Sequence, residues 1–69
     1  MVSEFWWVVV RHPDGDEAYL AQTPWADPKK VVDWIREHDA VADDTEITVS
    51  SQPLPGVAYQ AVPPRELGR

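Results

Sequence analysis

Residues 5–10, Phe-Trp-Trp-Val-Val-Val, form an unbroken apolar run that holds two of the chain's four tryptophans. Every residue in it is aromatic or β-branched, the composition that suits a pleated strand. Side chains alternate between the two faces of a sheet, so both faces of any sheet built on this run are apolar. A 69-residue chain has little other material with which to cover them. Such a chain buries only about 60% of the surface that its unfolded form exposes. With no cysteine, neither a disulfide nor a thiolate metal site can brace it. Packing of its four Trp, two Tyr and one Phe must carry most of the stability.

The spacing of turn and cap signals predicts one α+β domain over residues 1–62, followed by a flexible tail over 63–69. Glu4–His12 reads as the first strand, and His12-Pro13-Asp14-Gly15-Asp16 as the turn that ends it. A type I turn with a left-handed Gly15 gives a three-residue loop. That loop places His12 opposite Asp16, Arg11 opposite Glu17, Val10 opposite Ala18 and Val8 opposite Leu20, with the second strand over Glu17–Gln22. Asp27 then caps a helix that begins at Pro28 and runs to His38. Val31, Trp34, Ile35 and His38 form its apolar stripe; Lys29, Lys30, Asp33, Arg36 and Glu37 lie opposite. After an acidic connector from Asp39 to Asp44, Glu46–Ser51 alternates as a strand with one wet side. Pro53-Leu54-Pro55-Gly56 turns the chain into a fourth strand over Val57–Val62, and Pro63-Pro64 ends it.

The expected architecture is therefore ββαββ: an antiparallel four-stranded sheet in the order 2-1-3-4, with one helix packed on one face. In this register Trp6, Val8, Val10, Ala18 and Leu20 meet the helix. Phe5, Trp7, Val9, Tyr19 and Ala21 face the other way. Three covers are available for that second face: the chain's own Trp25, proline-rich turn or tail; a second copy; or another protein. Large contiguous apolar patches are uncommon on monomers, and an aromatic one makes a good binding hot spot.

Catalytic signals are sparse. The chain has no cysteine nucleophile, no Gly-x-Ser-x-Gly elbow and no glycine-rich phosphate loop. Its two histidines read structurally, His12 pairing across the hairpin and His38 capping the helix at its negative end. His38, Asp39, Asp43 and Asp44 lack calcium-loop spacing and read as a solvated acidic loop, as do Asp14, Asp16 and Glu17. No cofactor and no metal is expected.

The net charge of −6 disfavours direct binding to nucleic acid or anionic membranes and suits a basic protein partner. The longest apolar run is too short for a membrane helix or a signal-peptide core, so the expected location is cytoplasmic. The sequence thus points to a small acidic, non-catalytic interaction module, an accessory or inhibitor protein that contacts a protein partner or a second copy of itself. Phe5, Trp7, Val9 and Tyr19 form its expected aromatic face; Asp33, Glu37, Asp43 and Asp44 form its acidic helix end. The alternative is a DNA mimic whose carboxylates occupy a DNA-binding protein's basic groove. A third reading is a small enzyme or metal-binding domain built on His12 and His38.

Overall fold

Two residues, Pro13 and Asp14, turn the first strand into the second. The computed structural model describes residues 3–39, 41–60 and 63–68. In it β1 (Glu4–His12) pairs antiparallel with β2 (Gly15–Thr23), with His12 opposite Gly15, Arg11 opposite Asp16, Val10 opposite Glu17 and Val8 opposite Tyr19. The expected three-residue loop is corrected to a two-residue one, and the cause is Gly15. Its φ of +149° is a backbone conformation that favours glycine. Gly15 therefore enters the ladder as the partner of His12. One residue of slip exchanges every cross-strand partner and turns each β2 side chain to the other face. Tyr19 and Ala21 occupy the helix side, and Ala18 and Leu20 stand on the outer side.

The helix α1 (Pro28–His38) has the expected ends. The Asp27 carboxylate accepts a hydrogen bond from the Lys29 N–H at 3.0 Å, and Pro28 occupies the first turn, where its missing N–H costs nothing. Arg36 and His38 lie in the last turn, near the negative end of the helix dipole. Val31 and Ile35 are fully buried against Val8, Val10, Tyr19, Ala21 and Leu67. Trp6, Trp25, Trp34, Val41, Ile47 and Val49 pack around that core. The Trp6 indole N–H donates to the Trp25 carbonyl at 3.0 Å, satisfying a polar group that packing would otherwise strand.

β3 (Glu46–Ser50) pairs antiparallel with β1 on its free side, with Thr48 opposite Val9, so β1 is an interior strand as expected. The fourth strand is where the expectation fails. β4 is Arg65–Glu66, it runs parallel to β2, and the sheet is mixed with the order β3-β1-β2-β4. The expected antiparallel 2-1-3-4 sheet is corrected at this position. Residues 57–60 form no strand, and 61 and 62 lie outside the described residues.

Pro53, Pro55 and Gly56 supply poor ladder partners for β3. The chain instead leaves β3 over the face opposite the helix, and the Gln60 N–H donates to the Ala18 carbonyl on the far edge of β2 at 3.0 Å. Parallel strands need such a crossover. Each face of the sheet is thereby crossed by one connection, α1 on one side and the proline-rich segment on the other. Residues 63–68, read from the sequence as tail, carry β4 and insert Leu67, 2% exposed, into the core.

Candidate functional site

On the face away from α1, β1 presents Phe5, Trp7 and Val9, and β2 presents Ala18, Leu20 and Gln22. The crossover partly covers this surface. The Trp7 and Tyr59 rings meet edge to face, with centroids 4.8 Å apart and planes at 65°. The Tyr59 hydroxyl in turn accepts a hydrogen bond from the Leu54 N–H at 3.0 Å, which ties both ends of the proline-rich segment together. Val9 and Ala18 are buried here, and Trp7 is half-buried. Cover stops short of Phe5. At 50% exposure it is the one large hydrophobic side chain left exposed among the described residues.

Tyr19, expected on this face, stands on the other one. It is 3% exposed and belongs to the core. Its hydroxyl is buried without a well-formed hydrogen bond, and the Arg65 guanidinium is the cationic group that interacts with it. Burial pushes its pKa up to about 12; the Asp39 and Glu17 carboxylates push the same way, and the Arg65 guanidinium opposes them. At neutral pH this phenol is un-ionised.

Asp14, Asp16, Asp43, Asp44 and Glu46 gather at the hairpin end of the molecule, whereas Glu4 and Glu66 lie at the Phe5 end. Arg11 lies opposite Asp16 on β2 and Glu46 on β3, so the hairpin tip and the start of β3 share one end. Asp43 and Asp44 are exposed in the turn just before β3, and Asp33 and Glu37 are exposed on α1. Arg36 shapes the connector by donating to the carbonyls of Ala42 and Asp43 at 3.3 Å and of Thr45 at 2.9 Å. A planar guanidinium can bond several carbonyls at once, so it holds this turn without covering its carboxylates. Phe5 lies at the opposite end of β1, seven residues from His12, a span of about 24 Å along a strand. The structure therefore separates the aromatic patch from the acidic end.

No sequence signal announces a hollow of about 220 Å³ beside the hairpin, lined by Val10, His12, Glu17, Asp39, Val41 and Arg65. Arg65 reaches Asp39 at 3.2 Å and Glu17 at 3.8 Å. Its position depends on β4, which no periodicity announces in two residues. His38 is elsewhere: its ring stacks on Trp34 at 4.2 Å, and its Nδ1 donates to the Trp34 carbonyl at 3.1 Å. Among the described residues, no three His, Asp or Glu side chains are grouped to hold a metal ion.

No protein-family model, curated protein or solved structure matches the chain. What defines its class is the architecture: a small α+β protein with one helix, a mixed four-stranded sheet and no cysteine. Among the described residues, no helix is long and apolar enough to cross a membrane.

Proposed function

We propose that this protein is a small non-catalytic interaction module, an accessory or inhibitor protein acting in the cytoplasm, that anchors a basic protein partner through Phe5. The observation that carries this reading is the half-exposed Phe5 ring at the uncovered end of an otherwise covered aromatic face. A rigid aromatic beside a packed Trp7–Tyr59 pair has the form of an interface hot spot. The acidic hairpin end steers encounter and sets orientation rather than supplying most of the affinity.

Gathering of Asp14, Asp16, Asp43, Asp44 and Glu46 at one end favours DNA mimicry as the second reading. Affinity capture of the partner and titration against Phe5→Glu separate the two. The anchoring reading expects Phe5→Glu to weaken binding by at least about tenfold, the scale of a hot-spot side chain. Equal binding by wild type and Phe5→Glu sinks it. Competition by duplex DNA, with affinity collapsing as salt rises, supports mimicry instead.

A further inference from the structure

The two edges of this sheet are treated differently by the chain. Along β2, the outward carbonyl of Ala18 accepts from the Gln60 N–H at 3.0 Å and that of Gln22 from the Leu67 N–H at 2.9 Å. β4 completes the cover of that edge. β3 ends the sheet on the other side, and among the described residues no backbone hydrogen bond from another segment reaches its outer edge. Glu-Ile-Thr-Val-Ser holds no proline or lysine to deter pairing, and its single charge, Glu46, stands at the end of the strand.

Which groups β3 presents follows from alternation. Ala18 and Gln22 turn their polar backbone groups away from β1, so Val9, opposite Ala18, turns its own toward β3. Thr48, opposite Val9, is then bonded inward. The outward amides and carbonyls of β3 belong to Ile47 and Val49.

We infer that β3 pairs antiparallel with β3 of a second copy about a two-fold axis at Thr48, joining two sheets into one. In that register Ile47 lies opposite Val49 of the second copy, and the outward groups of the two residues form reciprocal hydrogen bonds on each side of the axis. The two Thr48 residues make the close, non-bonded pair between them. Glu46 falls opposite Ser50, so no like charges meet. Ile47 and Val49, which pack against the core from the helix side and are only half-buried, form a continuous apolar strip with their counterparts. Self-complementarity of this kind is what a two-fold interface requires. The pairing uses the sheet edge and leaves Phe5 free, so it stands or falls independently of the anchoring role.

Light scattering over a concentration series tests it. Wild type should reach twice the 7.8 kDa chain mass, and Thr48→Lys, which sets two cations face to face, should stay at the chain mass with an unchanged circular dichroism spectrum. Because the chain has no cysteine, single-cysteine variants read the register directly. Under oxidised glutathione, Thr48→Cys should form a covalent dimer and Ser50→Cys should not, because only position 48 meets itself within disulfide reach. A wild type that stays at the chain mass up to millimolar concentration overturns the inference. So does cross-linking at position 50 but not 48. A doubled mass lost in Phe5→Glu and kept in folded Thr48→Lys would place the copies face to face and overturn it too.

Discussion

The Arg65 guanidinium lies 5.1 Å from the centre of the Tyr19 ring and reaches from there to Asp39 at 3.2 Å. This one side chain ties the C-terminal strand to β2 and to the end of α1. Both of its ion pairs are open to solvent, so screening leaves them modest. Arg65→Ala is expected to cost about 1 kcal/mol, most of it from the cation–ring contact. Urea denaturation at low and high salt checks this, and a loss that vanishes in salt would assign the effect to the ion pairs instead.

Beneath that guanidinium, the Tyr19 hydroxyl is buried without a well-formed hydrogen bond. Tyr19→Phe keeps the ring and removes a buried polar atom, so the denaturation midpoint at neutral pH should hold or rise. The pH dependence has a definite sign. A phenol whose pKa is 10.0 unfolded and about 12 folded retains its proton in the native state where the unfolded state has lost it. Its contribution is intact below pH 10 and is lost as pH rises toward 12, by up to about 3 kcal/mol. Midpoints measured across that alkaline range should fall less steeply for Tyr19→Phe than for wild type.

Leu67 and Gly68 make the chain's last described turn part of the core. Leu67→Ala should destabilise by about 2–4 kcal/mol, the range for a buried leucine. Gly68 has φ +86°, and a Cβ there would stand 2.9 Å from Pro24 Cδ and 3.0 Å from Trp25 Cη2. Gly68→Ala combines backbone strain with a clash and should cost about 2 kcal/mol or more. Thermal melts followed by tryptophan fluorescence measure both; wild-type melting of either variant would mean that this segment does not hold the core.

Phe5 and Trp7 share one face and should differ in how much their truncation costs. Trp7→Ala removes a half-buried ring packed on Tyr59 and is expected to cost about 3 kcal/mol. Phe5→Ser, at a half-exposed position, should change stability by no more than about 1 kcal/mol. Equal, large losses at both positions would give Phe5 a structural role.

Local signals carried much of this fold. The apolar run from Phe5 to Val10 cannot avoid a strand interior to a sheet, and Asp27-Pro28 starts a helix wherever an amphipathic stripe follows. Glu46–Ser50 alternates too cleanly to be anything but a strand with one side on the core. The candidate surface was legible only in part. Phe5, Trp7 and Val9 stand together on the outer face as read, whereas Tyr19 does not. Because β1 is apolar on both sides, hydrophobic pattern could not choose the register. That choice rested on the φ of Gly15, a backbone angle that the residue type permits but does not dictate.

The same limit hid β4 and the hollow beside the hairpin. Two residues have no periodicity, and Arg65-Glu66-Leu67 after two prolines reads as solvent-exposed chain. By itself, the sequence determined the strands β1 and β3, the helix with its cap, and a doubly apolar first strand that had to be covered. Tertiary structure alone decided which residues cover it. An edge of β2 with unpaired carbonyls and a core with room for Leu67 draw the C-terminal segment in, and only the assembled sheet presents either. What that assembly leaves open is the Phe5 ring and the outer edge of β3.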